Sequence, residues 1–300
     1  MIPIITAEER LSAPPKINMA IVGPSGVGKT TLAKTLPPDS TLFVDLEAGT
    51  LAIEGWNGNI LKVRTWEYAR DLVCLLHGPD LSRRPEQYYS QNHYDQALAS
   101  YGPETIEQLA PYKIFFFDSI TVAARLCFNW ALGQPDAYND KGKKDTRGAY
   151  GLLGREMVDW LTHIQHIEGR SVIVVSILDN KKNDVGMPVF DMQIEGQKAS
   201  RELPGIFDLV MTMNYFTTPE GLRFRGLCCH DMNPWGYPAK DRSGRLDLIE
   251  EPDLTKLMTK IRDGLRNDAM QTAMPAAVDQ GAAIGQEFLA HQIQEAPLTT

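Results

Sequence analysis

The sequence predicts an α/β fold with a mostly parallel, doubly wound sheet, and three observations carry that expectation. Ile17-Asn18-Met19-Ala20-Ile21-Val22 reads as a short buried strand, Gly23-Pro24-Ser25-Gly26-Val27-Gly28-Lys29-Thr30 matches the pattern GxxxxGK[ST], and Thr31 to Leu36 reads as a helix stopped by Pro37-Pro38. The runs Thr41 to Glu47, Lys113 to Ser119 and Ser171 to Ile177 are apolar over most of their length, as strands buried on both faces must be. Between them lie segments of helical period: Trp66 to Leu76 with Ala69, Leu72, Val73 and Leu76 inward, Ile120 to Leu132, and Ala149 to Glu168 with Leu153, Met157, Trp160, Leu161 and Ile164 on one side.

The glycine-rich segment has a chemical reason for its residue types. A polyphosphate must be surrounded by backbone N–H donors at close range, so Gly23, Gly26 and Gly28 leave the chain room to curl and approach it. The helix N-terminus adds partial positive charge. Pro24, Ser25, Val27 and Thr31 complete the stretch that would line the nucleotide, with Lys29 reaching the β and γ phosphates and the Thr30 hydroxyl taking a place on Mg²⁺.

Two more strand ends carry acids. Asp45 and Glu47 follow Leu42-Phe43-Val44, and an open α/β sheet binds ligands at the carboxyl ends of its strands, so either could face the γ-phosphate. Asp118 ends Ile114-Phe115-Phe116-Phe117 in the form of a Walker B strand, whose Asp holds the Mg²⁺ shell. Further along, Phe207 to Phe216 and Gly221 to His230 alternate as two strands joined by Thr217-Thr218-Pro219-Glu220, an antiparallel hairpin near the C-terminal end of the fold. Asp253 to Leu265 reads as a last helix. The domain expectation is an N-terminal extension at 1–14, one α/β domain at 15–265 with an irregular insertion at 78–112, and a flexible tail at 266–300 rich in Ala, Gln and Met.

Composition bounds the partners. In 300 residues, thirty basic against thirty-eight acidic side chains give a net charge of −8, which argues against a protein coated in nucleic acid and leaves room only for a local basic groove. The four cysteines form no CxxC pair and no His cluster accompanies them, so a reducing cytoplasmic setting without structural zinc is expected. No run approaches the length of a membrane span.

Taken together, the glycine-rich loop, Asp45-Leu46-Glu47-Ala48-Gly49, Asp118-Ser119-Ile120-Thr121, Leu203-Pro204-Gly205-Ile206-Phe207-Asp208 and Ala239-Lys240-Asp241-Arg242 resemble the RecA-like branch of P-loop ATPases. More closely they are similar to phage-encoded AAA-domain proteins, a group that includes the Sak-type single-strand annealing proteins. The resemblance spans roughly residues 15 to 265. It implies a RecA-like P-loop NTPase core that takes ATP and Mg²⁺, with Lys29, Glu47, Asp118, Lys240 and Arg242 as catalytic residues and Thr30 and Asp118 as metal ligands. Glu47 would polarise the attacking water. Lys240 and Arg242 would act as a K-x-R finger reaching the γ-phosphate of a neighbouring subunit, so the resemblance implies a homo-oligomer, filament or ring.

Relatives of RecA bind DNA through two loops, which fall here at 133–148 and 178–203. Lys141, Lys143, Lys144 and Arg147 in the first and Lys181, Lys182, Lys198 and Arg201 in the second suit a phosphate-tracking groove for single-stranded DNA. Tyr138, Tyr150 and Phe190 are the nearby aromatics for base stacking. A single-strand-binding protein would be a further partner, and no membrane is involved. Where many relatives carry a polar sensor after the fourth strand, this chain reads Ser176-Ile177-Leu178-Asp179. Annealing or recombination in phage DNA metabolism is the leading reading; a DnaB-like ring motor or loader and a non-hydrolysing nucleotide switch or assembly scaffold share the same residues.

Overall fold

The computed structural model describes residues 4–12, 15–139, 141–182 and 188–267. A short helix, α1 (Ala7–Ser12), is started by a reciprocal cap: Thr6 Oγ1 accepts from the Glu9 N–H at 3.1 Å, and Glu9 Oε2 accepts from the Thr6 N–H at 2.8 Å. The strand before the glycine-rich loop is β1 (Asn18–Gly23), buried along its whole length. After the loop, Thr30–Thr35 winds as a 3₁₀ helix, a tighter turn than the α-helix the sequence suggested.

β2 (Thr41–Asp45) and β3 (Asn59–Lys62) come next, then α2 (Trp66–His77), capped by Thr65 accepting from the Tyr68 N–H at 3.2 Å. Segment 78–112 is more regular than its composition implied, since it contains α3 (Gln91–Tyr101) and α4 (Glu104–Leu109). It docks on α2, where His93 Nε2 and Tyr101 Oη both reach Asp71, at 2.9 and 3.0 Å, and Tyr101 stacks on Tyr68. Side-chain hydrogen bonds hold α3 in place of a broad apolar stripe, and α4 is only six residues long, so no hydrophobic period marked them.

β4 (Ile114–Asp118), α5 (Ile120–Ala131), α6 (Thr146–His166) and β5 (Ser171–Lys182) follow. β5 runs past Ile177, and its extension pairs antiparallel with β6 (Pro188–Met192) before α7 (Gln197–Ile206). Most of 178–203, expected to be a loop, is therefore regular; its polar hairpin stands outside the parallel core and lacks the apolar run of a central strand. β7 (Leu209–Thr217) and β8 (Arg223–Cys228) form the expected antiparallel hairpin, followed by β9 (Lys240–Asp241), β10 (Ile249–Glu250) and α8 (Leu254–Asn267). The expected tail lies outside the described residues from position 268 onward.

The sheet order is β10-β8-β7-β1-β5-β4-β2-β3, with β7, β1, β5, β4, β2 and β3 parallel and β8, β9 and β10 antiparallel to their neighbours. This is the α/β core with a mostly parallel sheet and an antiparallel hairpin that the sequence predicts. Alternation along β4 explains the two layers: Phe115 and Phe117 face α2, α5 and α6, while Phe116 faces the other side and stacks on Phe43 with centroids 5.5 Å apart. Burying each of these rings contributes about 1.5 to 3 kcal/mol. The 3₁₀ turn and α8 cover the second face, joined where the Leu254 N–H donates to Thr35 Oγ1 at 2.9 Å. All four cysteines are free and buried.

Under segment 78–112, His163 is buried, its ring stacked on Tyr89 at 3.6 Å and its Nδ1 donating to the Asp159 carbonyl at 2.8 Å. Burial lowers its pKa from 6.5 to about 4; the bond and charge of Asp159 oppose the shift, and Arg83 and His77 add to it. A histidine whose folded pKa is depressed contributes stability that is complete above its unfolded pKa and is lost as pH falls through the folded one. Urea unfolding should therefore show stability declining from pH 6.5 toward pH 4. His163→Phe, which keeps the stack, should flatten that decline; an unaltered profile would show that another group causes it.

Candidate functional site

Because the strands are parallel, β1, β2 and β4 deliver Gly23, Asp45 and Asp118 to the same edge of the sheet. Each loop glycine has its own reason. A Cβ on Gly23 would collide with the Met213 carbonyl of the adjacent β7, and Gly26 and Gly28 have φ values of 77° and 102°, where side chains are strained. Pro24, Ser25 and Gly26 are exposed, whereas Val27 is buried and anchors the loop in the core. Thr31 begins the 3₁₀ turn, half-buried.

Lys29 folds back over the loop. Its Nζ donates to the Gly23 and Pro24 carbonyls at 2.8 and 2.9 Å. Burial lowers its pKa, while the charges of Asp118 and Glu47 raise it.

Asp118 is 1% exposed, and its Oδ2 has no hydrogen-bond partner among the described residues. Burial pushes its pKa up to about 6; a hydrogen bond from Thr30 and the charge of Lys29 pull it down, and Glu47 and Asp45 push it further up. A buried carboxylate oxygen without a donor is costly, and the Thr30 hydroxyl stands beside it. Gly49 keeps the space clear, for a Cβ there would lie 3.5 Å from Asp118 Oδ2 and 3.9 Å from Thr30 Cγ2. This donor set fits a hydrated Mg²⁺, which Thr30 and Asp118 would hold and which would supply positive charge against nucleotide phosphates.

The structure separates the two acids after β2. Asp45 is fully buried and both its oxygens are engaged: Oδ1 accepts from the Ala48 N–H at 2.7 Å and Oδ2 from Arg64 Nη2 at 2.7 Å. Glu47 is exposed and its carboxylate has no partner among the described residues. Its backbone N–H donates to the Asp118 carbonyl at 3.2 Å, and that of Leu46 to the same oxygen at 2.8 Å, so the β2 and β4 ends are tied together. Ala48 carries the turn at φ 62°, unusual for a residue with a side chain. Ser176 is buried with its hydroxyl 3.1 Å from that of Thr121, so its hydrogen-bonding capacity goes to α5.

Lys240 and Arg242 stand elsewhere. β9 pairs with the start of β7, Lys240 opposite Val210, while Val210 lies beside Ala20 of β1. From Ala20 to Gly23 the strand climbs about 10 Å, so this segment is at the opposite edge of the sheet from its own loop. Lys240 Nζ donates to the Pro204 and Phe207 carbonyls at 2.5 and 2.8 Å, closing the end of α7. Arg242, half-exposed, pairs with Asp208 at 2.7 Å.

Lys141, Lys143, Lys144 and Arg147 are exposed, and none pairs with a carboxylate among the described residues; Arg147 belongs to the first turn of α6, one step beyond the loop proper. Lys181 and Lys198 line one cleft with Tyr150, where Asp191 and Glu195 temper their charge and Lys181 lies 3.7 Å from Asp191. Arg201 is exposed on α7; the Lys182 side chain lies outside the described residues. Tyr138 is exposed, and so is Tyr150, which stacks on Phe128, while Phe190 packs against Tyr237.

Two contributors escaped the sequence reading, and a third was quoted there without a role. Arg64 holds Asp45, Arg225 of β8 places Nη1 3.4 Å from the Val27 carbonyl, and Gly49, the end of the run Asp45-Leu46-Glu47-Ala48-Gly49, leaves the space beside Asp118 Oδ2 clear. Neither arginine belongs to a pattern, and only the sheet order brings Arg225 to the loop.

A family model described as AAA domain matches residues 15–243. Among solved structures, a KaiC-like protein from Pyrococcus horikoshii aligns at 14% identity over 70% of this chain and 78% of its own, with a TM-score of 0.31. The flagellar accessory protein FlaH from Methanocaldococcus jannaschii aligns at 13% identity over 78% of this chain and 87% of its own, with a TM-score of 0.30. At those scores neither carries a functional argument. No curated protein matches the chain.

Two substitutions test the assignments around Asp118. Gly49→Leu, at a position whose φ of −88° suits any residue, should weaken Mg²⁺–nucleotide binding in calorimetric titration with an unchanged melting temperature. The loss should be about tenfold or more, that of one charged contact. Asp45→Ala should instead lower folding stability by about 2 to 3 kcal/mol, because the Ala48 N–H and Arg64 lose their acceptor. Stability equal to wild type would refute the structural role of Asp45.

Proposed function

Since the chain belongs to the AAA-domain family and has a RecA-like P-loop core, we propose that it is a Mg²⁺-dependent ATPase that assembles on single-stranded DNA and promotes annealing or recombination in phage DNA metabolism. The observation that carries the ATPase reading is the convergence of Lys29, Thr30, Asp118 and an unengaged Glu47 on one sheet edge. Lys29 would leave the Gly23 and Pro24 carbonyls for the β and γ phosphates, exchanging neutral acceptors for charged ones. Thr30 and Asp118 would hold the metal. Glu47, with no competing partner, would orient the attacking water.

The opposed placement of Arg242 supports action in trans, because a side chain at the far end of β7 reaches a phosphate only if that phosphate belongs to another subunit. Its half-exposed pair with Asp208 costs little to give up, at most about 1 kcal/mol. Lys240 would first have to release the two carbonyls at the end of α7, so Arg242 is the better placed of the two. The DNA reading rests on the exposed cations of 141–147 and on the cleft that places Tyr150 beside Lys181 and Lys198. Among the described residues no helix is long and apolar enough to cross a membrane.

ATP turnover should rise when single-stranded DNA is added, and the stimulation should fall steeply between low and high salt. Glu47→Gln should reduce turnover by about a hundredfold or more with ATP binding retained. Arg242→Ala should also lose turnover and keep binding, and mixing it with Lys29→Ala should restore part of the activity, since one variant supplies the intact loop and the other the intact finger. Full turnover by Arg242→Ala alone would sink the trans assignment, and turnover indifferent to DNA would favour a nucleotide switch.

A further inference from the structure

Arg225 is a cation at the loop with no negative partner among the described residues. It lies on β8 directly opposite Tyr215 of β7, and both point to the face of the sheet that carries the glycine-rich loop. Its Nη1 is 3.4 Å from the Val27 carbonyl, and a Cβ on Gly28 would collide with the same nitrogen. No carboxylate pairs with it among the described residues, although the chain is acidic overall. Arg223, two residues earlier on the same face, is held 4.4 Å over the Tyr215 ring, so Arg225 is the arginine left facing the loop.

The Lys29 ammonium also rests on the loop carbonyls, with the charges of Asp118 and Glu47 near it. Two cations parked on neutral acceptors of one loop are suited to a dense anion that would draw both. A guanidinium offers a fork of donors to paired phosphate oxygens.

We propose that Arg225 is a phosphate-binding residue of the nucleotide site, supplied in cis by the β7–β8 hairpin, and that it exchanges the Val27 carbonyl for an anionic phosphate oxygen of the bound nucleotide. The proposal rests on the nucleotide-binding reading of the loop and adds a contact outside the GxxxxGK[ST] pattern. It gives the hairpin a direct hold on the ligand.

The test is calorimetric titration of the full-length protein with ATP, ADP and adenosine, each with Mg²⁺, for wild type, Arg225→Ala and Arg225→Lys. Arg225→Ala should bind ATP and ADP about ten to a hundredfold more weakly, with Arg225→Lys in between, as expected for loss of a charged hydrogen bond. Adenosine, which has no phosphate, should bind both variants as it binds wild type. A purely structural role, tying β8 to the loop, would lower the melting temperature of the nucleotide-free protein and leave ATP affinity intact, and that result overturns the proposal. An equal loss for adenosine also overturns it, since the contact would then be to the nucleoside. If the wild type itself does not bind ATP, the nucleotide reading fails together with the proposal, an outcome distinct from a failure of Arg225 alone.

Discussion

A buried carboxylate oxygen without a donor among the described residues, Asp118 Oδ2, is the constraint on which the arrangement of the sheet edge that carries the glycine-rich loop depends. Holding it there takes a completely buried strand behind it, a hydroxyl from Thr30 beside it, the β2 turn bonded to its main-chain carbonyl, and a glycine at position 49 that leaves its approach open. Such an atom is stable only in a fold whose remaining packing tolerates the cost. The triple phenylalanine run of β4 supplies much of that packing, one ring to one layer and two to the other.

The same edge displays a division of labour among carboxylates that differ little in sequence. Asp45 and Glu47 are two residues apart, yet one is consumed by Arg64 and a backbone N–H and the other is left free. The difference arises from the turn at Ala48, which brings its N–H back onto Asp45 and leaves Glu47 outside the pocket that Asp45 fills. Lys240 and Arg242 show a parallel contrast at the other end of the sheet, where one cation closes a helix and its near neighbour keeps only a surface ion pair.

The centre of the fold was legible because a strand buried on both faces must be apolar throughout, and the loop was legible because phosphate recognition by backbone requires glycine at set places. What escaped notice has physical reasons too. Helix α3 is held by Asp71, His93 and the stack of Tyr101 on Tyr68, contacts that leave no period, and α4 is six residues long, too short to show one. The β5 extension is mostly polar beyond Leu178, and α7 buries only a few apolar residues, Ala199, Leu203 and Ile206, among polar ones, so they read as a loop. Arg64 and Arg225 serve the site from positions fixed by tertiary pairing, and no local pattern records that. The Ser176 position shows the converse: a polar residue at the right place in the chain, with its hydroxyl already engaged by Thr121.

The β7–β8 ladder has a consequence of parity. Successive residues of a strand point to opposite faces, so sliding β8 by one position against β7 would turn Arg225 away from the loop and present Phe224 or Gly226 in its stead. The place of Gly226 opposes that slip, because Arg225 or Leu227 moved into it would bring a Cβ into Ile249 and the Glu250 carbonyl of β10. Of the two settings that parity distinguishes, the pairing is therefore held in the one that faces Arg225 to the loop. A single glycine on the far side of the hairpin decides whether an arginine faces the phosphate loop.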